Sequence, residues 1–234
     1  MASGEVSEST TDHNVDSVLR DEIRYYRDRA AYYDDTYARR GAYDRGPEAN
    51  AAWQAELAVA KDALAEAGLR GDVLELGCGT GYWTGIVAGQ ARWVTAIDGA
   101  PEMLDVARER LATFHNVELV GEDIIDRWQP SRQWDAALAC FFLEHVPDRR
   151  LPGLLRRLSD ALIPGGVMFM AEGLFQGPTA ETETRALAGE SYQVIERRRT
   201  SRELSGHFAA VGIDLVVQPT GPRFCFGVGR KRLG

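Results

Sequence analysis

Nothing in this chain constrains its fold more than the nine residues Val73-Leu-Glu-Leu-Gly-Cys-Gly-Thr-Gly81. A short apolar run ends there in glycines at alternate positions. That is the pattern of a buried strand stopping at a turn whose backbone amides stay uncovered by side chains. A second apolar run, Trp93–Asp98, ends in an acid 21 residues beyond Gly77. In an open parallel sheet, about 20 residues carry the chain through one helix to the tip of the neighbouring strand, leaving a carboxylate beside whatever rests on the glycine turn.

The texture repeats. The pattern predicts strands at Val73–Gly77, Trp93–Asp98, Val117–Val120, Trp134–Phe142 and Val167–Glu172, and helices at Gly81–Gly89, Pro101–Thr113 and Leu151–Leu162, the last stopped before Pro164-Gly165-Gly166. The strand runs are apolar throughout rather than alternating, so both faces are expected to be buried. Strands alternating with helices imply a doubly wound, mostly parallel α/β sheet. Ile213–Val217 and Arg223–Val228, joined by Pro219-Thr-Gly-Pro222, predict an antiparallel closing hairpin at the sheet edge. The expected architecture is thus a seven-stranded, Rossmann-like sheet with an antiparallel last strand. Thr200, with Glu203 three positions on, predicts a capping box for a helix running to Gly212.

Upstream, Leu19, Ile23, Tyr26, Ala30, Tyr33 and Tyr37 recur at helical spacing. Pro47–Ala67 predicts a second helix, with Gly68 as its stop. The organisation expected is a Ser/Thr/acid-rich disordered tail at 1–16, N-terminal helices at 17–70 forming a lid and the first sheet-covering helix, and a core at 71–234. Within the core, a cap insertion at about 173–199 shows few signals beyond a strand at Ser191–Arg197.

Composition narrows the partners. A net charge of -8 argues against nucleic acid, which needs a clustered cationic face. Cys78, Cys140 and Cys225 lie far apart with no CxxC pair, so neither a metal site nor a disulfide framework is expected, and reduced thiols suit a cytoplasmic protein. Met1–Asn14 lacks the apolar stretch of a signal peptide, and no apolar run approaches the ~20 residues of a membrane span. The expected partner is a small molecule, with no nucleic acid and no membrane, for a monomer or homodimer.

Three ligand classes compete for the turn. A dinucleotide pyrophosphate asks for GxGxxG and disfavours a nearby carboxylate, whereas this turn is GxGxG with Glu75 just before it. A nucleoside triphosphate wants a Lys-Ser/Thr pair after the glycines, and none follows. A phosphate-free nucleoside carrying positive charge fits better, and S-adenosylmethionine (SAM) is one.

With those residues in view, the chain resembles the class I SAM-dependent methyltransferases over about Leu19 to Arg230. The motifs are Leu74-Glu-Leu-Gly-Cys-Gly-Thr-Gly81, Ala96-Ile-Asp-Gly99, Gly121-Glu-Asp-Ile124, Trp134 through Asp148, and Leu162-Ile-Pro-Gly-Gly166. The resemblance implies that Gly77, Gly79 and Gly81 give close backbone approach to the methionine part, and that Glu75 holds its amino group. It implies that Asp98 accepts the ribose hydroxyls, Gly99 and Met103 pack at the adenine, Asp123 accepts the adenine amino proton with Ile124 against the ring, and Cys140 and Phe141 present backbone. Each role has a structural alternative in the sequence: a cap for the Pro101 helix (Asp98), a solvated acid (Asp123), an ion pair (Glu75), plain core (Met103). His145 is the candidate base or substrate contact, the alternative being a brace for its loop.

The N-terminal helix resembles the lid of small-molecule methyltransferases, with Tyr25 or Arg29 reaching the SAM carboxylate and Tyr33 and Tyr37 toward the acceptor. A nearer likeness is to the phosphonate O-methyltransferases of antibiotic biosynthesis. It rests on Tyr25-Tyr-Arg27, Gly79-Thr-Gly-Tyr-Trp-Thr84, His145-Val-Pro-Asp148 and the segment from Arg185 to Arg199. Arg185 falls where that family uses an arginine for the acidic acceptor. Glu196 stands where it carries a lysine, a departure that opposes a dianion, and Arg197, Arg198 or Arg199 is the candidate to compensate. The expected activity is O-methylation of a carboxylate or phosphonate in natural-product biosynthesis, since arginine forks bind such oxygens at two points. The alternatives are N-methylation of a small amine or amino sugar, and SAM binding without turnover.

Overall fold

The structure is a computed structural model describing residues 6–174 and 182–233, with side chains described from Val15 onward. Strands β1 (Asp72–Leu76), β2 (Trp93–Asp98), β3 (Val117–Gly121), β4 (Trp134–Cys140), β5 (Leu162–Gly173), β8 (Ile213–Pro219) and β9 (Phe224–Lys231) form one seven-stranded sheet in the order β3-β2-β1-β4-β5-β9-β8. The first five are mutually parallel, and β9 runs antiparallel between β5 and β8. The expected fold class is therefore present, closing hairpin included.

Side-chain alternation splits the core in two. Leu74, Leu76, Ala137, Ala139, Met168 and Met170 face helices α6 (Leu151–Ala161) and α7 (Ser201–Ala210). Val73, Ala136, Leu138, Phe169 and Ala171 face α3 (Pro47–Glu66) and α4 (Tyr82–Ala88). Helix α5 (Pro101–Arg110) lies against β2 and β3. Burial on both faces is why these strands read as unbroken apolar runs. The winding direction reverses between β1 and β4, so the carboxyl ends of those strands open a crevice, the place where such sheets take ligands.

Three expectations change. Helix α1 spans Val6–Arg29, beginning inside the stretch expected to be disordered. Val15, Val18 and Leu19 pack with Ile125 and Ile195, and Arg150 meets Asp16 at 3.1 Å, so tertiary contacts hold what composition alone would leave loose. The helical stripe expected through Tyr37 breaks into a 3-10 turn at Ala30–Tyr32 and a short α2 (Asp35–Ala38). Tyr37 there stacks on Tyr82 at 4.2 Å and accepts from Trp83 Nε1 at 3.1 Å, a packing that a straight helix would not reach. Pro164-Gly165-Gly166 lies within β5 as an irregularity in register, rather than ending the helix before a later strand.

The cap insertion contains a second sheet, the hairpin β6 (Thr182–Leu187) and β7 (Glu190–Ile195), turned through Ala188 and Gly189, both with positive φ. Strand β6 is mostly polar and half-exposed, which hid it from an apolar-run search. The hairpin lies on α1 through Tyr25, Tyr192 and Val194, with Tyr192 donating to Asp28 at 2.9 Å. Among the described residues, no helix is long and apolar enough to cross a membrane.

The expected capping box is complete: Glu203 N–H donates to Thr200 Oγ1, and Thr200 N–H donates to Glu203 at 2.7 Å. Replacing Thr200 with Ala should cost about 1 kcal/mol. Urea unfolding should show a lower midpoint with the same slope.

Candidate active site

The three glycines of the turn have positive φ for three different reasons. A Cβ on Gly77 (φ 73) would lie 2.5 Å from the Phe142 ring, so this glycine permits a close approach of the loop after β4. A Cβ on Gly81 (φ 76) would lie 2.8 Å from Leu111, so this one lets α4 pack on the end of α5. Gly79 (φ 52) faces space, with only Tyr33 Cε1 at 4.0 Å. The amides of Gly77 and Cys78 both donate to Ile97 O, at 2.9 and 3.0 Å, pinning the turn to β2. One residue on, Asp98 accepts from Gly79 N–H at 2.8 Å and from Ala100 N–H at 2.9 Å. Burial pushes the Asp98 carboxyl up, and those amides act the other way.

A cavity of about 460 Å³ opens over this turn. Gly77, Gly79, Asp98, Gly99, Met103, Asp123 and Ile124 line it, as do Phe141 and His145. Its roof is α1, through Leu19, Ile23 and Tyr26, with Tyr33 beyond the helix end. Asp123 Oδ1 accepts from Asp126 N–H at 3.0 Å. Glu75 and Cys140 lie outside this lining, buried at the ends of β1 and β4. Burial holds Glu75 up at about 8, with Thr84 lowering and Asp98 raising it, and its Oε2 has no hydrogen-bond partner. Gly81 is likewise a packing residue beside the cavity, not a wall of it.

The loop carrying His145 is braced from two sides. Glu172, at the end of β5, accepts the amides of Phe142, Leu143 and Glu144 at 3.2, 2.8 and 3.3 Å. Burial and Glu144 push this carboxyl up to about 8, against the Leu143 amide and His145. Arg199 donates to the carbonyls of Leu143 and Val146 at 2.7 and 2.8 Å and pairs with Asp148. Arg197 pairs with Asp148 and Glu203. Neither Arg197 nor Arg199, expected near the acceptor, lines a cavity: both are spent on carbonyls and acids behind the loop. His145 Nδ1 lies 2.8 Å from Ile195 O and Nε2 lies 2.9 Å from the Tyr26 hydroxyl.

A second cavity, about 670 Å³, adjoins the first, sharing Tyr26, Tyr33, Phe141 and His145 as walls. Arg185, Tyr37, Tyr25 and Arg29 line this one, so Tyr25 and Arg29, expected at the SAM carboxylate, line the second cavity and not the one over the glycine turn. Arg185 is ion-paired with Glu183 at 3.2 Å and with Glu196, which also pairs with Arg198. Burial alone would lower the Arg185 guanidinium, and Tyr26, Glu196, Tyr25 and Glu183 together outweigh it and raise it. Sequence reasoning missed Tyr26, Glu22, Arg39, Tyr43, Trp53 and Phe224 in the two cavities' walls or behind them. For Tyr26 the signal existed: it belongs to the stripe Leu19, Ile23, Tyr26, Tyr33, which is the face turned to the first cavity.

The comparisons with known proteins agree with this geometry. A family described as "Methyltransferase domain" matches residues 73–166. The structure of a DhpI–SAH complex is 33% identical, with a TM-score of 0.79 and coverage of 92% of this chain and 98% of that one. A DhpI–SAM–HEP complex is 32% identical with a TM-score of 0.78. Malonyl-[acyl-carrier protein] O-methyltransferase of Serratia marcescens is 34% identical over 54% of this chain and 45% of its own length. Demethylmenaquinone methyltransferase of Staphylococcus aureus (strain MRSA252) is 32% identical over 49% and 47%. The matched part spans less than half the length of these curated relatives. On the full-length likeness and the glycine turn with its acid, the chain belongs to the class I SAM-dependent methyltransferases.

Glu172 is the brace most exposed to test. Glu172→Gln keeps its shape but turns an NH₂ toward amides that need an acceptor, so unfolding free energy should fall by ~1–3 kcal/mol. An unchanged denaturation midpoint would show that the loop does not depend on it.

Proposed function

We propose that this chain transfers the methyl group of SAM to an oxygen of an acidic small molecule, a carboxylate or a phosphonate. The observation that carries this reading is the lining of the second cavity. Arg29, Arg39, Arg45, Arg185, Arg198 and Arg223 stand there against Glu144, Glu183 and Glu196, in a chain whose net charge is -8. Cations so concentrated beside the cofactor cavity favour an anionic ligand. The likeness to DhpI, solved with SAM and HEP, supports the same reading.

The first cavity fits SAM. Asp98 would take the ribose hydroxyls, Asp123 the adenine amino group, and Met103 and Ile124 the ring faces. Gly79, with open space where a side chain would stand, leaves bare backbone for the methionine part. The unpartnered Glu75 Oε2 suits a cationic neighbour. When bound, SAM supplies a methyl group already activated by its sulfonium. The chain's share is to hold the acceptor oxygen in line and to exclude water, and such alignment is worth on the order of 7–11 kcal/mol when the geometry is good. An ionised acid needs no base.

A second reading is methylation of a small amine. Glu144 favours it: its Oε2 makes no hydrogen bond and is met only by Arg198 at 3.7 Å, and the residue lines the aromatic-walled second cavity. A screen with labelled SAM against carboxylates, phosphonates, amino sugars and phenols separates the two, and acceptance of amines alone would overturn the acidic reading.

Asp98→Ala should weaken S-adenosylhomocysteine (SAH) binding by ~1–3 kcal/mol. Unchanged affinity by calorimetry would remove Asp98 from the cofactor site. Arg185→Ala should raise the acceptor KM about tenfold or more, a charge-assisted hydrogen bond lost, while SAH affinity stays the same. A fall in SAH affinity instead would assign Arg185 to the cofactor or to folding.

A further inference from the structure

Neither the glycine turn nor the arginine lining accounts for the pair of groups standing between the two cavities. Tyr26 and His145 line both, and the Tyr26 hydroxyl is 2.9 Å from His145 Nε2. The other imidazole nitrogen is committed. Nδ1 lies 2.8 Å from Ile195 O, and a carbonyl only accepts, so Nδ1 carries a proton. Glu22 Oε1 lies 2.9 Å from the same nitrogen yet makes no hydrogen bond. At that distance it favours the protonated ring, both through its contact with Nδ1 and through its charge.

Glu22 is only 5% exposed, so its charge is little screened; burial pushes its own carboxyl up, and His145 pulls it back down. Glu144 places a second carboxylate 3.9 Å from Nε2. Glu196, from the end of the β6–β7 hairpin, also favours the charged ring, and the ring in turn pulls the Glu172 carboxyl of β5 down. Arg185, from β6, pulls the Glu22 carboxyl down and so helps to keep it charged against the burial that raises it. Burial alone would favour neutral imidazole, and the carboxylates outweigh it, holding the imidazolium up at about 9. Burial also keeps Tyr26 a phenol, well above its usual value.

The direction of the hydrogen bonds follows. With both ring nitrogens protonated, Nε2–H donates to the Tyr26 oxygen. The phenolic proton is then not needed by His145 and is directed into the seam where the cavities meet.

We propose that Tyr26 donates this hydrogen bond to an anionic oxygen of the acceptor, aimed by His145 and Glu22. The proposal rests on the acidic-acceptor reading and deepens it. Glu22, His145 and Tyr26 together present a donor, which suits an oxygen already ionised. A protonated amine, which only donates, would require a lone pair at the same point. When the imidazolium is lost, the Tyr26 O–H turns onto Nε2 and shows lone pairs to the acid, so recognition falls as pH rises through about 9.

The test is calorimetric titration of the SAH-saturated protein with benzoate and with phenylphosphonate, from about pH 8 to about pH 10, where both probes are fully ionised. Tyr26→Phe should weaken binding of the preferred probe roughly tenfold or more at the lower pH, keep SAH affinity, and abolish the alkaline fall seen in the wild type. Glu22→Gln, which leaves the phenol in place, should move that fall to lower pH. If Tyr26→Phe binds the probe as the wild type does, with the same pH dependence, Tyr26 has no such role and the acidic-acceptor reading stands. If the wild type binds neither probe and methylates only amines, that reading fails and the proposal goes with it. Should Tyr26→Phe lose SAH binding, Glu22→Gln decides alone: a fall at lower pH supports the proposal, and an unmoved one overturns it.

Discussion

The left-handed backbone of the turn after β1, hung on a single carbonyl of β2, is the constraint from which the rest of the site descends. Ile97 O receives the amides of both Gly77 and Cys78, which ends β1 and swings the Gly79 amide onto the Asp98 carboxylate. A Cβ at Gly77 would displace the Phe142 ring, and with it the loop that carries His145. One turn therefore fixes the floor of the first cavity, the orientation of its main acid and the approach of the wall shared with the second. All of this lies at the carboxyl ends of β1 and β4, where the reversal of winding leaves a crevice with no crossover helix to fill it.

Electrostatic tension is concentrated around that crevice. Glu22, Glu75, Glu172 and Glu196 are buried, as are Arg29 and Arg199. Such groups cost several kcal/mol each when charged unless paired or hydrogen-bonded; burial holds Glu75 and Glu172 up at about 8, and the compensation differs from group to group. Glu172 is met by three backbone amides, Glu196 by two guanidiniums, Glu22 by an imidazolium, and Glu75 only in part. Such networks are weak evidence for stability and better evidence for a fixed arrangement. The arrangement they fix is the loop at 141–146 and the hydroxyl of Tyr26.

The second cavity is a product of several separate pieces of chain. Helix α1, the stretch from Thr36 to Trp53, the loop after β4, the β6–β7 hairpin with the residues after it, and the hairpin closing the main sheet each contribute walls, and aromatic contacts help to hold them in register. Phe224 meets both Phe141 and Trp53 edge-on, at 5.3 and 4.6 Å, and Tyr25 meets Tyr192 in the same way at 5.5 Å. The arginines are spread over the same pieces, so their concentration exists only once these surfaces have come together.

The sheet was legible in the sequence because its cause is local. Burial on both faces favours apolar runs, and those at Val73, Trp93 and Trp134 begin strands that keep almost the boundaries their residues imply, as does the shorter run at Val117 on a half-exposed edge strand. The glycine turn and the capping box at Thr200 were equally legible, each resting on a short-range requirement of backbone or hydrogen bonding, and Asp98 and Asp123, singled out by strand-end position and by resemblance, both line the first cavity. The helix at residues 6–16, strand β6 and the break after Arg29 were not, because tertiary contacts decide them: Val15 and Asp16 meet Ile125, Ile195 and Arg150, β6 lies on α1 and pairs with β7, and Tyr37 packs on Tyr82 and Trp83. For the same reason charge alone could not say which arginines face a ligand. Arg197, Arg198 and Arg199 are identical neighbours in the chain, and only the path of the backbone past Asp148 and Glu196 sends the middle one into the cavity and the other two behind the loop.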